Sequence, residues 1–139
     1  MSVARTRLAR RKAFQCLHRY GVDSWSEAKN QANFGACFTP HGHGHNYELE
    51  AHIEGPVDKE TGMIMNLADV DQLLNQLIKP LNGKHLNFEI IQFKEQVPTT
   101  ENLAQWLFSQ LENQIPPPAR LVKVRLYEYE DLWVDIWAE

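Results

Sequence analysis

Hydrophobic and polar residues alternate with a period of two over residues 43–54. One parity carries His43, His45, Tyr47, Leu49, Ala51 and Ile53, and the other carries Gly44, Asn46, Glu48, Glu50, His52 and Glu54. Because successive side chains of a strand point to opposite faces of the sheet, this pattern predicts a strand with one buried and one solvated face. His43 and His45 share the buried face, at the start of that strand.

Other periodicities predict the elements around this strand. An extended strand is expected within residues 6–20, and residues 21–42 read as an irregular excursion. Asn66 is suited to cap a helix whose apolar residues recur at helical spacing and which must end by Pro80. After a polar loop, the run Thr99-Thr100-Glu101 predicts the start of a second helix.

Two strands joined by a short hairpin are expected to close the chain. Their apolar sets are Val122, Val124 and Leu126 in one strand and Leu132, Val134 and Ile136 in the other. The order ββααββ predicts an α+β domain, with a four-stranded antiparallel sheet and two helices on one face. Trp133 and Trp137 fall on the opposite parity of the last strand, which favours a subunit contact and an oligomer.

Length and composition indicate an ordinary globular protein. A chain of 139 residues, 43% hydrophobic and 23% charged, is expected to form a single domain over residues 1–139. It contains no long apolar run and no apparent secretory leader, so we expect no membrane partner. The two cysteines do not suggest a disulfide scaffold, and a reducing cytoplasm fits them best.

Basic residues are concentrated at the N-terminus. The net charge is −4, but the first twelve residues hold five basic residues and no acidic one. Such a segment either binds an anion or forms a solvated edge. No nucleic-acid motif accompanies it, so no nucleic-acid partner is expected.

The glycine-spaced histidines are the strongest candidate for chemistry. His43 and His45, at i and i+2 of a strand, point to the same side and can meet at one metal ion. Nitrogen ligands favour Zn²⁺, and a catalytic zinc keeps three protein ligands and one open position. His41 precedes the strand, and it is either a further ligand or a loop residue near the metal. The residues alone leave the third ligand open.

Four other residues are candidates for a ligand site. Glu128 follows the parity of the buried set of its strand, so it either anchors a guanidine-like ligand edge or has already left the core at the strand end. Thr99 and Thr100 are capping residues first and ligand contacts second. Cys37 is either a buried filler or a catalytic thiol beside the metal.

Several segments together resemble the 6-pyruvoyltetrahydropterin synthase and 6-carboxytetrahydropterin synthase family. They are Phe14-Gln-Cys-Leu-His18-Arg, Phe34-Gly-Ala-Cys37, Gly42-His43-Gly-His45-Asn-Tyr47, Thr61-Gly-Met-Ile-Met-Asn-Leu-Ala-Asp69, Pro98-Thr-Thr-Glu-Asn-Leu-Ala104 and Tyr127-Glu128. The resemblance spans most of the chain, from about Phe14 to the last strand. The spacing from Cys37 to His43 is similar to that of the pyruvoyl enzymes.

The resemblance implies a fold and a reaction. The fold is the tunnelling fold (T-fold), in which sheets assemble into an oligomeric barrel, usually a hexamer of two stacked trimers. The reaction converts 7,8-dihydroneopterin triphosphate to 6-pyruvoyl-tetrahydropterin with release of triphosphate and without an external redox cofactor. The carboxy branch also releases acetaldehyde, on the route to queuosine.

The resemblance also implies roles for individual residues. It makes His18, His43 and His45 the zinc ligands, and so supplies the third ligand. Glu128 would grip the pterin ring, and the Thr99–Thr100 region would line the pterin pocket. Cys37 would move protons on the substrate side chain.

One family motif is missing after the first predicted helix. The family has Leu-Asp-His there, and its Asp–His pair helps the cysteine to handle protons, whereas this chain has Leu81-Asn82-Gly83. His85 lies two residues on, and it is expected either to replace the missing catalytic histidine or to be a surface histidine. The departure leaves open the carboxy branch, a pterin-binding protein with impaired catalysis, and a purely structural zinc site.

Overall fold

The computed structural model describes residues 4–139, which form a five-stranded sheet flanked by helices. The strands are β1 Arg7–His18, β2 His43–Glu54, β3 Lys84–His85, β4 Arg120–Tyr129 and β5 Leu132–Trp137, in the order β3-β1-β2-β4-β5. The helices are α1 Glu27–Phe34, α2 Leu67–Ile78, α3 Leu86–Glu89 and α4 Thr100–Glu112. The structure confirms the predicted α+β class. It also confirms the four predicted antiparallel strands, which are β1, β2, β4 and β5.

The register of β1 and β2 explains the predicted alternation. Phe14 pairs with Tyr47, Cys16 with His45, and the last β1 residue, His18, with the first β2 residue, His43. Burial alternates along β2 as the pattern predicts, with Tyr47 fully enclosed. Because paired residues point to the same face of a sheet, His18 joins the two β2 histidines on the helix-covered face.

The two long helices begin where their capping residues predict. Asn66 accepts a hydrogen bond from the backbone of Ala68, and Thr99 accepts one from Asn102. The apolar sides of α2 and α4 pack with the inner face of the sheet in one core, which includes Leu74, Leu103, Leu107, Leu111, Leu49 and Leu126.

Two expectations about the fold were wrong. The sheet has five strands because the short β3 pairs in parallel with β1, at Cys16–Lys84 and Leu17–His85. A strand of two residues has no periodicity that a sequence could reveal. The excursion at 21–42 contains α1, capped by Ser26, whose only buried residue is Asn30. Without an apolar stripe, this helix carries no 3.6-residue pattern.

The outer edge of the sheet exposes aromatic residues. Trp133 and Trp137 of β5 are 44% and 65% exposed, as their parity predicts. No helix within residues 4–139 has both the length and the apolar composition that are needed to cross a membrane.

Candidate metal centre and active site

Three histidines converge at the end of the β1–β2 ladder. The Nε2 atom of His18 lies 3.2 Å from that of His43 and 3.0 Å from that of His45. All three ring nitrogens lie within 4.8 Å of one another. The pairing of β1 with β2 brings them together, because the sequence separates His18 from His43 by 25 residues. His41 is exposed and lies outside this cluster.

The electrostatics of the cluster suit a bound cation. Burial, together with the neighbouring His45 and His43, lowers the pKa of His18 to about 3. Burial and His43 also lower the pKa of His45. Both rings are therefore neutral near pH 7, which is the protonation state of a histidine that binds a metal.

A tyrosine fixes the orientation of the innermost histidine. The Tyr47 hydroxyl lies 2.8 Å from Nδ1 of His18, and both residues are fully buried. When Nδ1–H donates to this oxygen, the lone pair is left on Nε2, which faces the other two histidines. Metal-binding histidines are commonly oriented in this way, so the residues present fit a metal ion with three nitrogen ligands.

Glu128 brings a carboxylate to the same place. Its Oε1 lies 3.3 Å from Nε2 of His45 and 3.7 Å from Nε2 of His18. The register of β4 and β5 shifts between Tyr127 and Tyr129, so Glu128 occupies a bulge, and its side chain is only 11% exposed. Bulges redirect side chains, and here the carboxylate keeps the inner face. This excludes the alternative in which Glu128 leaves the core.

Burial and a hydroxyl tune this carboxylate. Burial raises the pKa of Glu128, and the nearby Thr100 hydroxyl partly offsets the rise. Thr100 is 4% exposed, and its Oγ1 has no hydrogen-bond partner of regular geometry within residues 4–139. Thr99 serves as the helix cap.

Cys37 ends a 3-10 turn formed by residues 35–37 and is half-buried. Burial, and then the negative charge of Glu128, raise the pKa of its thiol. The carbonyl of Cys37 accepts a hydrogen bond from the backbone N–H of Tyr20, at 3.3 Å, and the Tyr20 ring lies 4.7 Å from that of His18. The thiol therefore belongs to the surroundings of the histidines and Glu128.

Asn82 and Gly83, where the resemblance leads us to expect an Asp–His pair, are tied to β1. The Asn82 side chain accepts a hydrogen bond from the backbone N–H of Gln15 at 2.8 Å, and the N–H of Gly83 donates to the Gln15 carbonyl at 2.6 Å. Gly83 has φ +78°, which favours glycine. These contacts hold the turn against the strand and provide no proton carrier.

His85 lies beside the end of β1, where its charge contributes to the lowered pKa of His18. Its Nε2 lies 2.8 Å from the carbonyl oxygen of His41, and its ring stacks on Phe88 with centroids 4.2 Å apart. Its Nδ1 is buried and has no partner within residues 4–139. The backbone thus places His85 near the three-histidine cluster, while its Nε2 faces the loop before β2.

The sequence reasoning placed Tyr47 on the face of the histidines but assigned no role at the site to Tyr47 or Tyr129. Tyr47 orients His18, and Tyr129 packs edge-on against His45 with ring centroids 5.0 Å apart. The parity of Tyr47, two residues after His45, was a sufficient indication that it lies on the same face. Tyr129 could not be placed, because the bulge in β4 changes the parity beyond Tyr127.

Comparisons with known proteins agree with this geometry. The family model for 6-pyruvoyl tetrahydropterin synthase matches residues 7–139. The chain is 38% identical over 125 residues to the 6-pyruvoyl tetrahydrobiopterin synthase of Pongo abelii, covering 89% of this chain and 86% of that protein. It is 34% identical over 94 residues to a candidate 6-carboxy-5,6,7,8-tetrahydropterin synthase of Archaeoglobus fulgidus, covering 68% and 74% of the two chains.

A solved structure supports the same relationship. The 6-pyruvoyl tetrahydropterin synthase of Caenorhabditis elegans superposes with a TM-score of 0.91 at 27% identity, covering 100% of this chain and 99% of the other. The resemblance carried by the sequence motifs is therefore confirmed. The chain belongs to the 6-pyruvoyl tetrahydropterin synthase family.

Proposed function

We propose that this chain is a zinc-dependent lyase that converts 7,8-dihydroneopterin triphosphate to 6-pyruvoyl-tetrahydropterin and releases triphosphate. The observation that carries the proposal is the 3.3 Å approach of the Glu128 carboxylate to the three-histidine cluster. It supports a pterin anchor next to a metal centre, as a reaction on the pterin side chain requires. Family membership supports the same reaction.

Zinc is the metal that this donor set favours, because three imidazole nitrogens and one open position are typical of catalytic zinc. His18, His43 and His45 would hold it, with Tyr47 orienting His18. When bound, zinc would supply Lewis-acid chemistry that acidifies the hydroxyl and C–H bonds of the substrate side chain.

Glu128 and Thr100 would recognise the pterin ring. The guanidine-like edge of a pterin presents parallel N–H donors, and a carboxylate can accept two of them at once. The Thr100 hydroxyl next to the carboxylate offers one more hydrogen bond to the ring. Thr99 would shape the pocket by fixing the start of α4.

Cys37 would exchange protons with the substrate side chain. Its raised pKa keeps the thiol protonated in this structure, and a positive charge nearby would favour the thiolate that a general base needs. His85 would take the role of the family histidine, because Gly83 stands at the position of that histidine in this chain. Its position beside the end of β1 supports this role, which requires its ring to turn away from the His41 carbonyl.

The assembly and compartment are also proposals. The exposed tryptophans of β5 support closure of the sheet into an oligomeric barrel, as a dimer of trimers. The cysteines Cys16 and Cys37 are both free, which fits a reducing cytoplasm.

A product assay tests the function. Zinc-loaded protein is incubated with 7,8-dihydroneopterin triphosphate, and the products are separated and weighed by mass spectrometry. We expect triphosphate and 6-pyruvoyl-tetrahydropterin from the wild type. Glu128→Gln should bind pterin about 100-fold more weakly, because it removes a charged acceptor of two hydrogen bonds, and should keep its zinc. Glu112→Gln, at the exposed end of α4, is the matched control.

The other outcomes assign the alternatives. Release of acetaldehyde with a 6-carboxy product would place the chain in the branch that the Archaeoglobus relative represents. Tight pterin binding without turnover would indicate a binding protein, in which the Asn82–Gly83 departure has removed catalysis. Zinc retention without pterin binding would contradict any role in pterin chemistry.

A further inference from the structure

Residues outside the loop that carries Cys37 contact every second backbone carbonyl of that loop. This Cys37 loop, residues 35–42, contains little regular structure beyond its first turn. The carbonyl of Cys37 accepts from the N–H of Tyr20, that of Thr39 accepts from Nε of Arg19 at 2.6 Å, and that of His41 lies 2.8 Å from a ring nitrogen of His85. The loop therefore takes its position from the two residues after β1 and from His85 of β3.

Arg19 makes the closest of these contacts and also supports the loop through its guanidinium. That group lies over the Phe38 ring, 5.0 Å from its centroid. Both contacts go to residues directly after Cys37 in the chain. Because Arg19 directly follows His18, one residue connects the histidine cluster to the thiol loop.

Arg19 is itself clamped by a side-chain amide. The Asn87 oxygen accepts from the backbone N–H of Arg19 at 2.8 Å, and the Asn87 nitrogen donates to the Arg19 carbonyl at 2.7 Å. Asn87 thus continues, with its side chain, the parallel pairing that β3 makes with Cys16 and Leu17. Such double contacts fix main-chain position more tightly than one hydrogen bond does.

The backbone of the Cys37 loop has little conformational freedom at its far end, Gly42. Gly42 has φ +76°, and a Cβ atom there would overlap the carbonyl oxygen of His18. Its N–H donates to the Thr39 hydroxyl at 2.9 Å. The loop is therefore closely packed against β1 at Gly42 and tied to it by Arg19 at Thr39.

We propose that Arg19 and Asn87 are positioning residues that set the distance between the Cys37 thiol and the histidine cluster. This inference goes beyond the proposed function and rests on it only for the turnover measurement. Without the contacts of Arg19 and Asn87, the Cys37 loop would no longer be held in one position. The Cys37 thiol would then be less buried. Errors of about 1 Å in a reacting group reduce rates by up to about 100-fold.

Two variants of Arg19 and one of Asn87 isolate the hydrogen bonds. Arg19→Met keeps the side chain as far as the position of Nε and removes the donor, whereas Arg19→Gln places an N–H donor where Nε stands. Asn87→Leu removes the clamp and keeps the branched outline of the side chain. Arg10→Met, an arginine of β1 that pairs with Asp71, is the control for loss of a guanidinium.

The first measurement is the rate of alkylation of each cysteine by iodoacetamide in the metal-loaded protein, followed by mass spectrometry. In Arg19→Met and Asn87→Leu we expect Cys37 to react about tenfold faster, because a thiol released from burial has a lower pKa. Cys16 should stay unreactive, since it is 1% exposed and burial raises its pKa to about 12. Arg19→Gln and Arg10→Met should resemble the wild type.

The second measurement separates positioning from general damage. Both loss variants should lose about 10- to 100-fold in kcat, while their zinc affinity and the Kd for the pterin stay within about twofold of the wild type. An unchanged Cys37 alkylation rate in both would overturn the proposal, as would parallel exposure of Cys16, which would mean that β1 has opened. The alkylation result stands even if the wild type shows no lyase turnover, so failure of the proposed function is recognised separately.

Discussion

The contact between Tyr47 and His18 allows a sharp test of the metal centre. Tyr47→Phe removes one oxygen atom and keeps the ring, which stacks on Phe14 with centroids 5.3 Å apart. The lost hydroxyl lies 2.8 Å from Nδ1 of His18, and neither residue is accessible to water. Water therefore cannot replace the hydroxyl, and Nδ1 of His18 loses this contact.

The magnitude follows from the loss of this partner. Leaving a buried donor without an acceptor costs about 1–3 kcal/mol. Removal of a group that orients a metal ligand weakens metal binding by about 10- to 100-fold. The main chain of Pro98 also accepts near the His18 ring, so the lower end applies. We expect about tenfold weaker zinc binding, or about 1.4 kcal/mol.

Competition with a chromophoric chelator at pH 7.5 measures the affinity. Tyr129→Phe is the matched control, because this tyrosine also packs against a histidine of the cluster but is 54% exposed. It should bind zinc as the wild type does. Equal affinities in the wild type and Tyr47→Phe would refute the assignment of Tyr47 as the group that orients His18.

Three further predictions follow from single contacts. Cys37→Ala should retain zinc and pterin binding and lose about 100- to 10,000-fold in kcat, as measured by single-turnover kinetics, because it removes a proton-transfer group. Gly42→Ala should lower the free energy of unfolding by at least about 1 kcal/mol in urea titration, because its positive φ and crowded Cβ position both strain alanine. Gly62→Ala, with a similar φ but open space, separates the strain from the overlap. The bond from Arg125 lowers the pKa of Asp135, so Asp135→Asn should cost up to about 1 kcal/mol at pH 7. This difference in unfolding free energy is present in full above about pH 4. It should vanish as the pH falls through the lowered pKa, because only the ionised carboxylate is stabilised. A difference that persists at low pH would contradict the pairing of Asp135 with Arg125.

Local patterns in the sequence determined much of the fold. The alternation over residues 43–54 predicted β2 and placed His43 and His45 on one buried face, because neighbours in a strand fix each other's direction. Asn66 and Thr99 predicted the helix starts, because capping depends on backbone groups only a few residues away. The family motifs added the expectation that His18 completes the set.

Only the tertiary structure decided the contacts between distant segments. The pairing of β1 with β2 brings His18 to His43, and the pairing of β4 with β2 brings Glu128 to the cluster. Neither β3 nor the hold of Asn87 on Arg19 could be predicted, because a two-residue strand and a single amide leave no period in the sequence. The sequence determined which face each side chain takes, since that depends on near neighbours. The tertiary structure decided which side chains meet, since that depends on register across the sheet.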